Sequence, residues 1–400
     1  MLRKNVFFAS SALMFCLVGC GPVDEPAVDC DDAAPQSLSG TISDDQTLEL
    51  QTPVGCVDYY VTGNLTIRAG VSVEPGVIFE FAESAALSVR EGFFAAEGTE
   101  DLPIIFTGEL KVPGSWRGIH VWHASLGNSF DHVVIEYGGG GNNWNHMSTH
   151  GSLVLNHITV GETVLAFTNS TIRHSADAGF VLTGSARFQR FGGNTFTENA
   201  DVPGRISVTA VGSLNDSGTS TYSGNGIDRL HIYGTLVETT QTWEKLDVPY
   251  YAQDNFHIGR DNTATLTIEP GATLVFSENT GISARNNGIL RAIGTEAEPI
   301  TFTGEVAQAG SWLGVQIWSG SLQNALEHVV IEYGGSAPRN YLDPGSEANL
   351  VVSSATYGWD AYVVLNNAVL RGSGNKDIHV HSGTVEGCEN VSLEVDVDCP

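Results

Sequence analysis

Trp144, His146 and His150 lie close together in a stretch rich in Gly and Asn that begins just after Glu136. An indole can stack on a sugar ring or on a protein surface, and imidazole and carboxylate groups can orient what is stacked. Two histidines four residues apart suit a shared metal only where the chain between them turns helically. The flanking Gly and Asn disfavour that turn, so no metal site is assigned. Glu136, Trp144, His146 and His150 are the candidate ligand-binding residues.

Other carboxylates suggest acid–base chemistry. Asp131 and Glu136 are mirrored by Glu327 and Glu332. Even separation on one strand would put His132 and Glu136 on one face, as it would His328 and Glu332. A His and a Glu so placed could act as base and acid. However, both pairs sit in the identical segment HVVIEYGG, and a segment kept twice is better explained by a coil that both copies need. The repeated Trp116/Trp312, Trp122/Trp318 and Tyr137/Tyr333 invite the same explanation, as covers of the core. No catalytic residue is assigned. No Gly-rich phosphate loop of the GxxxxGKS type occurs, and no Ser/His/Asp triad has a local signature.

These residues are positioned by a repeat. Residues 98–139 and 294–335 align at a constant spacing of 196, with 25 of 42 positions identical. Such self-similarity marks a repeat architecture. Each copy is a series of short β runs, PIIFTG, then GIHVW or GVQIW, then HVVIEYGG, with Gly, Ser and Asn between them. Glu74, Pro75 and Gly76 match Glu269, Pro270 and Gly271, and Tyr59 and Tyr60 match Tyr250 and Tyr251, so the duplication covers most of the chain. Val, Ile, Thr, Phe and Tyr dominate the apolar runs, which favours strands over helices. A Gly/Ser/Thr-rich loop at 212–226 is compatible either with a joint or with stacking straight through it. The expected halves are 40–226 and 227–400.

The formal charge is −28, from 46 acids and 18 bases. Such a surface repels phosphate backbones and excludes nucleic acid as a partner. No DxDxDG-type loop is present; Ca²⁺ is the one cation the carboxylates would suit, and no cofactor is required. Arg3, Lys4 and the apolar residues 6–17 form an export signal too short to span a bilayer as a stable helix. Residues 21–39, with three prolines and several acids, read as a flexible tether. Beyond Cys20 remain Cys30, Cys56, Cys388 and Cys399. An even number in an exported chain suggests disulfides. Of three pairings, Cys30–Cys56 and Cys388–Cys399 are favoured because they would staple the two ends.

Leu17, Val18, Gly19 and Cys20 resemble the lipobox of bacterial lipoproteins. That resemblance implies a diacylglyceryl group on Cys20, cleavage before it, and a partner membrane. Gly21 in place of the Asp that favours inner-membrane retention points to the outer membrane or cell surface. The succession LTIEPGATLVF, GILRAIGTEAEPITFTG, GSWLGVQIW, LEHVVIEYGG is similar to right-handed parallel β-helix proteins of exported, adhesin-like bacterial families. The resemblance covers about residues 59–385. It implies an all-β solenoid of three-stranded coils with Val, Ile, Leu and Phe inside, and Asn128, Asn169, Asn194, Asn324 and Asn366 at turns. It also brings in polysaccharide lyases and hydrolases of the same fold, which need converging carboxylates. No adjacent Asp pair lies on a strand here: Asp31 and Asp32 fall in the tether, Asp44 and Asp45 before the coils. The expected function is a non-catalytic envelope lipoprotein that binds carbohydrate or a surface protein, with a polysaccharide-degrading enzyme as the alternative. Cys20→Ser is expected to move the protein from the membrane fraction to the soluble one; retention at the parental level would refute the anchor.

Overall fold

The structure is a computed structural model that describes residues 29–31, 34–122, 126–141, 150–156, 163–338, 345–353 and 360–395. Among these, 37 strands and one short 3-10 turn, Val211–Leu214, make up the regular structure. Every strand pairing is parallel, and strands skip their immediate successor in sequence except Gly204–Ser207, which pairs with Leu230–Tyr233 across the 3-10 turn. The chain therefore passes three faces in turn and stacks each circuit on the last, about 4.8 Å further along the axis. This is an all-β, solenoid-like stack.

Ile78–Phe81, Ile104–Gly108, Val133–Glu136, Thr171–Arg173 and Thr195–Thr197 form the first face. Ala86–Val89, Ile119–Trp122, Gly151–Asn156, Ala178–Leu182 and Gly204–Ser207 form the second. The third runs from Gln46–Leu48 to Arg187–Gly192. Alternate residues of each strand point inward into one core. Rings stack along it: Phe79 on Phe106 at 4.9 Å, Phe81 on Trp116 at 4.0 Å, and Phe276 on Trp312 at 4.4 Å. Both repeated tryptophans are wholly buried, and each donates its indole N–H to the carbonyl of the repeated glutamate: Trp116 to Glu136 at 2.8 Å, Trp312 to Glu332 at 2.7 Å. They belong to the core.

The corners are made by residues in the left-handed region. His132, Asn169 and Gly193 occupy one corner row, with φ of 50°, 50° and 67°; His328, Asn367 and Asn390 occupy its counterpart. Tyr137 and Tyr333, at 62° and 64°, turn the chain at the other end of HVVIEYGG. This overturns the expectation that His132 and Glu136 share a face. The alternation rule assumes an unbroken strand, and the left-handed residue at His132 ends one strand, Ser129–Asp131, before Val133–Glu136 begins. Asn128, Asn194 and Asn324 are buried and bind backbone of neighbouring coils: the side-chain oxygens of Asn128 and Asn324 accept from Phe94 and Leu290, each at 2.9 Å. Asn199 and Asn225 extend this ladder, with a 2.8 Å bond between their amides.

Stacking runs straight through 212–226. Thr195 bridges Thr221, Phe196 stacks on Tyr222, and Gly204–Ser207 pairs with Leu230–Tyr233. The faces change role there. The second-face row continues through Leu230–Tyr233 and Tyr250–Ala252 into Thr273–Phe276, Ile300–Gly304 and Val329–Glu332. By the sequence repeat, Ile300–Gly304 and Val329–Glu332 match strands of the first face. A new face starts at Leu236–Val237, and the third face passes through the 3-10 turn to Gln241–Trp243.

Both ends are pinned. Cys30 and Cys56 form a disulfide, with Cα atoms 5.7 Å apart. Cys388 is also disulfide-bonded, while Cys399, like Cys20, lies outside the described residues. Asp58 is fully buried near the N-terminal end; its carboxylate accepts from the amides of Gln51 and Thr52 at 2.8 Å, the Thr52 hydroxyl at 2.9 Å and the Ile78 amide at 2.9 Å. Asp377, also fully buried, accepts from the amides of Glu394 and Val395 at 2.6 Å. Asp58→Ala is expected to cost about 3 kcal/mol, since several buried donors lose their acceptor at once. Amide exchange should quicken at Gln51, Thr52 and Ile78, with the far end unaffected; unchanged protection at these amides would deny the aspartate its pinning role.

Candidate functional site

Outward-pointing positions of a parallel stack form rows, because each strand lies in register on the next. One such row crosses the junction between the repeats. Val154, Val181, Arg205, His231 and Tyr251 are direct register partners along it. Val154 and Val181 are buried and, with Ala178 and Val202, make a small apolar cluster outside the main core. Arg205, His231 and Tyr251 then turn the row polar.

Arg205 holds two carboxylates. Its Nη2 donates to Asp177 at 2.6 Å and also contacts Asp201, while its Nη1 donates to the backbone carbonyl of His150 at 3.3 Å. The His150 ring lies 3.5 Å from the second oxygen of Asp177. Thus two acids, one guanidinium and one imidazole meet where the 138–151 loop rejoins the stack. Burial raises the Asp201 pKa, the Arg205 charge opposes this, and the Asp177 charge adds to it. One row further, the Tyr251 hydroxyl donates to Glu305 at 2.7 Å, and Arg229 donates to the other oxygen of Glu305 at 3.0 Å while stacking 4.2 Å above the Tyr251 ring. The bond from Tyr251, helped by Arg229, holds Glu305 low against desolvation. Burial, with the Glu305 contact, pushes Tyr251 up to about 12. His231 sits between the two clusters, and neither ring nitrogen has a hydrogen-bond partner among the described residues. Burial, then the charges of Arg205 and Arg229, lower its pKa to about 4, so it is neutral at pH 7.

The candidates read from sequence are dispersed. Glu136 lies on the first face, where its carboxylate accepts from Thr107 at 2.9 Å and from Arg173 at 2.8 and 2.7 Å. Glu332 repeats this with Thr303 at 3.1 Å and Arg371 at 2.8 and 2.7 Å. These contacts are the outer cross-coil ladder of the stack and do not include His150. Trp144 and His146 lie outside the described residues; His150 lies within them, in the Arg205 cluster. His132 contacts Asp131 at 3.3 Å. His120 is buried on the second face, and burial lowers its pKa to about 4, with Arg90 adding to the effect. Beside it the guanidinium of Arg90 lies 5.1 Å from the Trp122 ring, and Arg285 lies 4.6 Å from Trp318 in the other copy.

Sequence reasoning missed Asp177, Asp201, Arg205 and His231. The signal available was alternation within GRIS and LHIY, which marks Arg205 and His231 as outward residues. Their adjacency needs the register, and the spacings along the row, 26 residues from Arg205 to His231 and 20 from there to Tyr251, differ from coil to coil. No family model, curated protein or solved structure matches the chain. The class is therefore set by the architecture alone, an all-β solenoid-like stack of parallel strands.

The two buried histidines give a pH signature. Each has a folded pKa near 4, whereas the unfolded value is about 6.5. Between these values the unfolded chain binds more protons, so stability is full above pH 6.5 and falls as pH drops toward 4. At pH 4.5 the loss is on the order of 2 kcal/mol per histidine. His120→Gln, which installs the residue of the second copy, combined with His231→Gln, should flatten urea midpoints measured between pH 7 and 4.5. Parallel slopes for variant and parent would remove the histidines as the cause.

Proposed function

We propose that the chain is a non-catalytic, lipid-anchored envelope protein: a right-handed parallel β-helix of two tandem homologous halves whose side face binds carbohydrate or a protein partner. Handedness follows from the strong preference of parallel crossovers for the right-handed path. The pairing of the halves is supported by the duplicated Thr–Glu–Arg ladder and the duplicated indole-to-carbonyl bond. Lipidation at Cys20 in the outer membrane rests on the N-terminal motif. The Cys30–Cys56 bridge supports a tether whose far end is fixed to the first coils. Cys388–Cys399 is the matching staple proposed for the other end.

The observation that carries the binding reading is the employment of the carboxylates. Glu136 and Glu332 are tied to arginine and threonine, Asp58 and Asp377 to backbone amides, Glu305 to Tyr251 and Arg229. Carboxylates held this way shape a surface; acid–base catalysis needs one free to exchange a proton with substrate. The second reading, a polysaccharide lyase or hydrolase, is favoured by one cluster, Asp177 and Asp201 converging on Arg205 beside His150.

Replacing Trp144, His146 and His150 together by Ala is expected to shift the melting temperature little, because loop substitutions of this kind cost under about 0.5 kcal/mol each. It should lower retention on a glycan array or on a surface-protein partner, and neither protein should release reducing sugar. Unaltered retention would return the loop to plain surface. Steady sugar release that vanishes in Asp201→Asn would replace binding by hydrolysis.

A further inference from the structure

On the third face the stack changes texture at the junction. Where a strand would follow Arg187–Gly192, the chain makes the 3-10 turn Val211–Leu214, and a strand returns only at Gln241–Trp243. A single turn covers less of the surface than a strand and its flanks. The result is an open cleft of about 400 Å³ whose lining includes Arg190, Gln189, Asn215, Thr239 and the edges of Phe188 and Phe191. A volume of this order takes a small ligand or one or two sugar rings. The strand above it is bulged: its pairing with Val164–Thr168 slips between Phe188 and Arg190, so Gln189 has no register partner. Gln189 and Arg190 consequently both face solvent.

Arg190 is unusual in this chain. The other arginines and lysines commonly have carboxylate or aromatic partners: Arg173 with Glu136, Arg205 with Asp177, Arg229 with Glu305, Lys245 with Glu298, Arg371 with Glu332, Arg285 over Trp318. The Arg190 side chain makes no ion pair, hydrogen bond or ring contact among the described residues, although acids outnumber bases 46 to 18. The nearby carboxylates are engaged elsewhere. Asp216 accepts from the amides of Gly218, Thr219 and Ser220, and Glu244 from those of Asp216 and Ser217. Gln241, by contrast, is fully used in the wall, accepting from Gly212 at 2.8 Å and donating to Val208 at 3.0 Å. The cleft thus has a structural wall and an unsatisfied rim, consisting of the Arg190 guanidinium with the amides of Gln189 and Asn215 and the Thr239 hydroxyl.

We propose that this cleft is a subsite for an anionic sugar unit, a pyranose bearing a carboxylate or a sulfate, with Arg190 receiving the charge. Guanidinium pairs with either anion through two parallel N–H donors. The surrounding amides and hydroxyl match ring hydroxyls, and the phenyl edges give the ring an apolar floor. The inference deepens the carbohydrate reading above and rests on it. It also gives the acidic surface a selective part, because the net charge of −28 disfavours an anionic ligand where no free base receives it.

The test is calorimetric titration of the full chain with three hexamers: oligogalacturonate, galactose sulfated at the 6-position, and unsubstituted galactose. Binding of one or both acidic hexamers is expected, weakened by salt, with the neutral hexamer bound about tenfold less well. Arg190→Gln should lose about tenfold in affinity, and Arg190→Lys should keep part of it, with melting temperature unchanged in both. The two acidic arms distinguish carboxylate from sulfate. Equal binding of neutral and acidic hexamers, full affinity in Arg190→Gln, or no binding of either acidic hexamer would each overturn the subsite. The wider binding reading is decided separately, by the loop variant on the array.

Discussion

Parallel strand stacking at about 4.8 Å is the constraint on which everything else in this molecule depends. It obliges each residue to sit directly on its counterpart in the next coil, so that like must tolerate like. Inside, that selects rings that stack. Tyr59, Phe79, Phe106, Phe130, Phe167, Phe196 and Tyr222 form a run of contacts with centroids 4.9 to 6.4 Å apart. Buried turns select asparagine, whose amide can accept from one coil and donate to another. Outside, it selects complementary polar and charged groups, as in Thr107, Glu136 and Arg173 on three successive coils of the first face. The same rule makes ends vulnerable, since the terminal coil has nothing to stack on. Buried Asp58 and Asp377 answer that by gathering the amides of the terminal segments onto a carboxylate.

The corners add a second constraint. A chain that turns within one residue needs the left-handed region, which costs most side chains on the order of 1 kcal/mol. The molecule places His, Asn and Tyr there repeatedly, so that His132 and Tyr137 bracket one short strand, and His328 and Tyr333 bracket its repeat. The identity of HVVIEYGG in both copies is thus explained by geometry: two corners and the strand between them, whose last carbonyl receives the buried indole.

How much of this was legible follows from which constraints act locally. Alternation inside a strand is local, and from it the all-β class and the inward Val, Ile and Phe could be read, while the structural role of Trp116 and Trp312 was read from their occurrence in both copies. The Cys30–Cys56 pair was legible because both residues lie near one end. Corner conformation was legible only in part: Asn169 was expected at a turn, but nothing in the sequence marks a positive φ at His132, and the proposed His132–Glu136 pairing failed on that single dihedral. Register was not legible either. Arg205, His231 and Tyr251 are separated by unequal lengths of chain, so their row exists only once the coils are stacked. The change of face at the junction was hidden for the same reason: the repeat in sequence is continuous in type while the stack rotates its roles beneath it.

That rotation bears on where a site can arise. In the repeated coils several outward groups have the same partner in both copies; Tyr60 with Glu109 and Tyr251 with Glu305 are both 2.7 Å apart. Where the faces change, the prescription lapses. On one side of the junction His231 is left between two charge clusters without a hydrogen-bond partner among the described residues, and on another Arg190 stands beside a dip that a 3-10 turn leaves open. A buried polar group without a partner is costly. In the proposed reading, the groups whose contacts the stack does not prescribe are the ones left for recognition, whereas Glu136 is tied into the cross-coil ladder.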